Sequence, residues 1–193
     1  MKKKDEQKYQ AILNAAATLI IDGSVGDVST TKIARAAGIS QSSLYVYFTS
    51  REQLLTALYI RELTNLYQGD LALDVSDLTF AATLRLYLQQ LFDYAVAHPG
   101  SMTVIQKLKE TMRQETVDAP KVRAIVATSR VQQLLAAGIA NHDLRQVDLS
   151  LHRNIIFSTV KLHVDNLNQG VYSRASMPFS TVCDMIMAAV LAK

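Results

Sequence analysis

The stretch that decides the fold reads Ser29-Thr30-Thr31-Lys32-Ile33-Ala34-Arg35-Ala36-Ala37-Gly38-Ile39-Ser40-Gln41-Ser42-Ser43-Leu44-Tyr45-Val46-Tyr47-Phe48-Thr49-Ser50-Arg51-Glu52-Gln53-Leu54-Leu55. Ser29 or Thr30 can cap a first short helix over 31–37, since their side-chain oxygens accept from free backbone N–H groups. Gly38 ends that helix because glycine adopts the left-handed conformation without strain. A second short helix is predicted over 41–48. Two short helices joined by so tight a turn indicate a helix-turn-helix.

The packing within this unit can be read from the side chains between the polar positions. Ile33, Ala34, Ala37 and Leu44 can hold the two helices together, and the small alanines allow a close approach. Working outward, 5–22 carries apolar residues at helical spacing and predicts a first helix. Ser50-Arg51-Glu52-Gln53 is a capping-box pattern that begins a further helix over about 51–69.

Polar residues open the second short helix where apolar ones would be easier to bury. In a helix-turn-helix this end of the second helix faces base edges in the major groove. Gln41 can bond adenine through two contacts, and Ser42 and Ser43 can donate to or accept from several bases. Residues suited to phosphate oxygens flank them: Thr30, Thr31, Tyr47 and Arg51.

The remainder of the chain also predicts helices. Only 7 glycines and 3 prolines occur in 193 residues, of which 49% are hydrophobic, so tight turns are few and disorder is excluded. Helical spacing and breakers place five helices, at about 77–98, 101–115, 119–142, 148–170 and 176 to the C-terminus. We therefore expect an all-α protein of about nine helices.

No catalytic or metal-binding pattern is visible. Cys183 is the single cysteine, which excludes a disulfide framework. None of the four histidines lies in a metal-binding pattern, and neither a phosphate loop nor a nucleophile elbow occurs. We expect no enzyme activity, no cofactor and no metal. With neither a signal peptide nor an apolar membrane span, we expect a cytoplasmic protein that does not enter the membrane.

The residues from Lys8 to Leu58 resemble the N-terminal domain of the tetracycline-repressor (TetR) family of bacterial transcription regulators. The resemblance lies in Ile12-Leu13, Ala16, Leu19, Gly23, the run 30–40, Ser43-Leu44-Tyr45, Tyr47-Phe48 and Ser50-Arg51-Glu52 with Leu54-Leu55. It implies a helix-turn-helix DNA-binding domain at 1–50, with the motif at about 30–49. A linking helix at about 51–69 and an effector-binding and dimerisation domain at 70–193 would follow.

The resemblance also implies roles for individual residues. Thr30 and Thr31 stand at positions that touch DNA, and the recognition-helix positions are occupied by Gln41, Ser42, Ser43 and Tyr45. Tyr47 matches a frequent phosphate contact, and Arg51 stands where many members have Lys. The chain departs from the pattern at Ser42, where Gly or Pro is common, and at Tyr9, where Arg or Lys is common. Both departures leave the operator sequence open.

The implied function is a homodimeric repressor that a small-molecule effector releases from a palindromic DNA operator. Dimerisation would use the last two helices. The last one carries a broad apolar stripe that suits a four-helix interface, and the helix before it mixes apolar and polar positions. Candidate effector contacts in the C-terminal helices are Tyr87, Phe92, Met102, Gln106, Met112 and His163. The alternative is a helical small-molecule carrier without DNA regulation, for which the polar face at 41–43 has no purpose.

Overall fold

The computed structural model describes residues 3–68, 77–112 and 120–192, and in these ranges the secondary structure is helical. The helices are α1 Lys3–Asp22, α2 Thr30–Ala36, α3 Gln41–Tyr47, α4 Arg51–Gln68, α5 Phe80–Ala97, α6 Pro99–Thr111, α7 Pro120–Thr128, α8 Arg130–Ala140, α9 Leu149–Asn168 and α10 Phe179–Val190. The all-α expectation is confirmed. The predicted boundary at 69–70 and the predicted helix end at Glu115 lie outside the described residues.

One predicted helix is in fact two. The sequence pattern suggested a continuous helix over 119–142, but α7 and α8 are separated at Ser129. The Ser129 hydroxyl donates to the Val126 carbonyl at 2.7 Å and accepts from the Gln132 N–H at 3.3 Å. It therefore ends one helix and caps the next. This break raises the number of helices in the described ranges to ten, against the nine expected.

The described residues form two compact units. The first is drawn from Met1–Asn65 and Gly100–Ile125, and the second from Leu66–Pro99 and Val126–Lys193. In the first unit the predicted packing residues Ile33, Ala34 and Leu44 are buried, whereas Ala37 is only half-buried. Phe48 is also buried, and its ring stacks on Tyr9 with the centroids 5.0 Å apart.

The second unit has its core between α5, α9 and α10. The predicted apolar face of α5 is buried throughout, at Leu84, Leu88, Leu91, Phe92 and Ala95. On α8, Gly138 lies directly against the ring of Phe80, where an added Cβ would stand 2.4 Å from Cζ. Glycine at this position therefore permits the close approach of the Phe80 ring.

Candidate DNA-binding surface and effector site

The turn between α2 and α3 is built by three small residues. The Ser29 hydroxyl accepts from the Lys32 N–H and caps α2, and the Ser40 hydroxyl accepts from the Ser43 N–H and caps α3. Between them Gly38 has φ of 67°, in the left-handed region, while the Ile39 N–H returns to the Ala34 carbonyl at 3.0 Å. The local sequence thus fixes the turn through two serine caps and one glycine.

The predicted base-contacting residues share one surface with the start of α2. Gln41 and Ser42 are exposed, and Ser43 is half-buried. Gln41 Nε2 donates to Thr30 Oγ1 at 3.4 Å, and the Tyr45 hydroxyl lies 3.4 Å from the same oxygen. Side-chain hydrogen bonding of the Tyr45 hydroxyl with Thr30, and then with Gln41, lowers the pKa of the exposed Tyr45.

Tyr47 and Arg51, the two phosphate candidates near the C-terminal end of α3, already donate hydrogen bonds to other groups of the protein. Tyr47 donates a long 3.5 Å hydrogen bond to Asp5 Oδ1. Burial, followed by the charge of Asp5 and this hydrogen bond, raises the pKa of Tyr47. Since a phosphate accepts hydrogen bonds, Tyr47 would have to leave Asp5 in order to donate to one.

Arg51 holds the loop between α1 and α2. Its Nε donates to the Val28 carbonyl at 2.6 Å, and its Nη2 donates to the Val25 carbonyl. Thr31, in contrast, is exposed at the start of α2, where free N–H groups favour anions. The sequence alone could not indicate that the Arg51 guanidinium reaches carbonyls some 23 to 26 residues earlier in the chain.

Lys107 is a residue of the first unit that the sequence interpretation missed. From α6, its Nζ donates to the carbonyls of Ile20, Ile21 and Gly23, at 2.9, 3.2 and 2.8 Å. Ile20 and Ile21 belong to the last turn of α1 and Gly23 follows it, and α1 has no basic residue in its own last turn. Lys107 therefore supplies the positive charge that a helix C-terminus favours.

A second contact joins α6 to α4 within the same unit. Ser101 donates to Glu62 Oε2 at 2.6 Å, and Arg61 binds the other carboxylate oxygen of the buried Glu62. Arg61 also donates to Asn14 Oδ1 on α1 at 2.8 Å. Side chains of α1, α4 and α6 are thus linked by one polar network.

The six candidate effector contacts divide between the two units. Met102, Gln106 and Met112 belong to the first, where Met102 is buried and Gln106 donates to Glu110 at 2.8 Å. The other three belong to the second and are all buried, namely Tyr87, Phe92 and His163. Of these, the structure brings together Phe92 and His163, with ring centroids 5.6 Å apart.

We call the group around His163 the aromatic cluster, made of Phe92, His163, Tyr172 and Phe179. Phe92 stacks on Phe179 at 4.2 Å, and His163 Nδ1 lies 2.9 Å from the Tyr172 hydroxyl. Burial, and then the nearby charge of Arg174, lower the pKa of His163. Tyr172 and Phe179 were not predicted here, since helical periodicity does not distinguish a site wall from the core.

The other histidines have separate surroundings. His152 Nε2 lies 2.9 Å from the Arg145 carbonyl, and the ring of His98 lies 4.7 Å from that of Tyr94. Among the described residues, no three histidine, cysteine or acidic side chains are grouped as a metal site would require. Likewise, none of the helices in those ranges has the length and hydropathy needed to cross a bilayer.

The capped α2–α3 pair, with an exposed polar face at the start of α3, defines a helix-turn-helix protein of the kind that binds DNA. Residues 12–58 match the family model described as bacterial regulatory proteins of the tetR family. A protein from Lactobacillus plantarum described as a transcription regulator has 32% identity and a TM-score of 0.75, over 96% of this chain and 99% of that chain. The chain belongs to the TetR family of DNA-binding transcriptional regulators.

Two further similarities concern lipid-related regulators. The fatty acid metabolism regulator protein of Bacillus subtilis is 24% identical over 163 residues, which is 82% of each chain. The solved structure of the regulator FadR from Bacillus subtilis, in complex with stearoyl-CoA, has 21% identity and a TM-score of 0.66. This match covers 93% of the present chain and 97% of the other.

Proposed function

We propose that this protein is a homodimeric repressor that binds a palindromic operator and is released from it by a small-molecule effector. The observation that carries the proposal is the exposed polar start of α3, linked through Gln41 and Tyr45 to Thr30 at the start of α2. This arrangement presents base-reading and phosphate-binding groups on one surface. As a DNA-binding regulator it would act in the cytoplasm, by binding and not by catalysis.

We assign separate tasks to separate residues of this surface. Gln41, Ser42 and Ser43 read bases, with Tyr45 beside them, while Thr30 and Thr31 contact phosphate. Residues 1–50 form the DNA-binding domain, 51–69 the linking helix, and 70–193 the effector-binding and dimerisation domain. For Tyr47 and Arg51 a phosphate role requires that each leave the partner it has within the protein.

The DNA-binding part of the proposal is tested by a gel-shift assay with DNA from upstream of the protein's own gene. We expect saturable binding that weakens steeply with salt, because phosphate contacts release counterions. Gln41→Ala should reduce the preference for that DNA over unrelated DNA by about tenfold, the value of one good base contact. Thr31→Ala should weaken both by similar factors. Equal affinity of the unchanged protein for both DNAs would reject sequence-specific repression.

An exposed apolar stripe on α9 supports the proposed dimer. Leu151, Ile155, Ser158 and Leu162 follow one another at helical spacing and so share a face. Leu151 is 47% exposed and Leu162 is 60% exposed, although both are large and apolar. A second copy of the chain would cover this surface, since dimer interfaces are more apolar than ordinary protein surface.

The last helix carries a similar exposed face. Thr181, Met185 and Ala188 lie on one side of α10, opposite its buried stripe, and Met185 is 63% exposed.

Sedimentation equilibrium should give the mass of two chains for the unchanged protein. Leu162→Glu should shift the mass toward one chain, whereas Leu78→Glu, at an exposed leucine before α5, should not. A single-chain mass for the unchanged protein at micromolar concentration would reject the dimer.

For the effector we propose a long-chain acyl thioester. The support is the stearoyl-CoA bound by the similar Bacillus subtilis regulator and the buried aromatic cluster in the second unit. An apolar chain suits such surroundings because its removal from water is favourable. Stearoyl-CoA should release the protein from its operator at micromolar concentration, and coenzyme A alone should not. Retention of the complex with stearoyl-CoA would exclude this effector class.

A further inference from the structure

His163 has a ring nitrogen that is buried and has no partner among the described residues. The side chain is 2% exposed, and Nε2 accepts no hydrogen bond and donates none there. Buried polar atoms in folded proteins are almost always hydrogen-bonded, so each exception requires an explanation. A bound ligand is one such explanation. A buried polar atom whose partner is a ligand has no hydrogen bond when the ligand is absent.

The hydrogen bonds on the other side of the ring favour a hydrogen on Nε2. Asn166 Nδ2 donates to the Tyr172 oxygen at 3.3 Å, and the same oxygen lies 2.9 Å from His163 Nδ1. When Tyr172 donates its single hydrogen to Nδ1, every group in this chain has one consistent role. A neutral imidazole with Nδ1 as acceptor carries its hydrogen on Nε2.

The neutral form is the one that this environment favours. Burial and the cation of Arg174 both lower the pKa of His163, so the ring is uncharged near neutral pH. Phe92 and Phe179 pack near the ring, with centroids 5.6 and 6.0 Å from that of His163. A single N–H donor surrounded by aromatic rings can bind a neutral carbonyl oxygen, while the rings contact the apolar chain attached to that carbonyl.

We propose that His163 Nε2–H donates a hydrogen bond to the thioester carbonyl oxygen of the bound acyl group, with Phe92 and Phe179 against the first part of its chain. This inference rests on the proposed acyl-thioester effector. Arg174, whose guanidinium carbon lies 5.8 Å from the centre of the Phe92 ring, places a positive charge near the cluster.

The test compares two ligands that differ in one carbonyl group. Stearoyl-CoA and its thioether analogue S-octadecyl-CoA share the coenzyme and the length of the chain, but the thioether has no carbonyl oxygen. The affinity of the full-length protein for each is measured by calorimetry. We expect about tenfold tighter binding of stearoyl-CoA, which corresponds to one buried hydrogen bond.

The matched variant is His163→Phe, which keeps an aromatic ring and removes the donor. It should bind the two ligands with equal affinity, because only the thioester gains from the donor. General damage to the fold would weaken both ligands and leave their ratio unchanged, so the ratio separates a contact from a structural role. His98→Phe, at an exposed histidine of the same unit, should keep the ratio of the unchanged protein.

The outcomes distinguish this inference from the proposed function. If stearoyl-CoA and S-octadecyl-CoA bind equally and both release DNA, the effector class stands and the His163 contact is refuted. If neither ligand binds, the effector class fails and the contact fails with it. Nitrogen-15 NMR of the ligand-free protein gives an independent reading: a hydrogen on Nδ1 instead of Nε2 would overturn the assignment even if His163→Phe did not fold.

Discussion

Replacement of Arg51 by methionine separates two roles that this residue could have. The sequence pattern predicts a phosphate contact, whereas the structure has the guanidinium bonded to the Val28 and Val25 carbonyls. Hydrogen bonds from a charged donor contribute about 1.5–3 kcal/mol each when buried. Since Arg51 is only half-buried, we reduce this to about 1 kcal/mol for each of the two bonds and expect Arg51→Met to cost about 2 kcal/mol in total. For a chain of this size that is a fall in melting temperature of about 4–8 °C.

The assay combines urea unfolding, followed by circular dichroism, with operator binding at several salt concentrations. Arg35→Met is the matched control, because it removes one positive charge from an exposed position on α2 and leaves both loop hydrogen bonds in place. If Arg51 only binds phosphate, both variants should have the stability of the unchanged protein, and Arg51→Met should reduce the salt slope by about 0.9. That result would refute the loop-holding role.

Three further predictions concern single positions. Gly38→Ala should cost about 1–2 kcal/mol in urea unfolding, because φ is 67° there, and Gly38→Asn should cost less. Lys107→Met should lower stability by about 1–2 kcal/mol and speed amide exchange at the end of α1, whereas Lys121→Met, at an exposed lysine of α7, should not. As pH falls below the ordinary histidine pKa of 6.5, the unfolded chain takes up a proton that buried His163 resists. Stability should therefore fall by up to about 1.4 kcal/mol per pH unit, and His163→Phe should reduce this slope.

Local chemistry explains why the helix-turn-helix could be predicted from the sequence. Ser29, Gly38 and Ser40 act on backbone groups within a few residues of themselves: Ser29 and Gly38 have the predicted roles, and Ser40 caps α3 in addition. The same holds for Asp148, predicted to begin a helix, whose carboxylate accepts from the Ser150 N–H at 2.9 Å. The missed break at Ser129 was also local, because Ser129 and Gln132 have capping-box spacing.

The remaining features depend on residues that are distant in sequence. Lys107 and Ile20 are 87 residues apart, and no helical period relates them. The candidate effector contacts show the same limit. The spacing of apolar residues indicates which face of a helix is buried, but it does not indicate which other helix packs against that face. Met102 and Phe92 both lie on apolar helix faces, and the sequence does not show that they belong to different units. Tyr172 was missed because it follows a helix and belongs to no periodic stripe.

The polar network of the first unit bears on how the proposed effector would act on DNA binding. The chain leaves the first unit at 65–66, within α4, and returns to it at 99–100, at the start of α6. It leaves again at 125–126. Ser101 and Glu62 fasten these two helices to each other, and Lys107 fastens α6 to the end of α1. An effector shifts the equilibrium only by its difference in affinity between two states. Because α1, α4 and α6 are bonded together, a state that displaces α6 must either move α1 with it or break the hydrogen bonds of Lys107. Since α1 is the helix that packs against α2, we expect a movement of α1 to reach the helix-turn-helix.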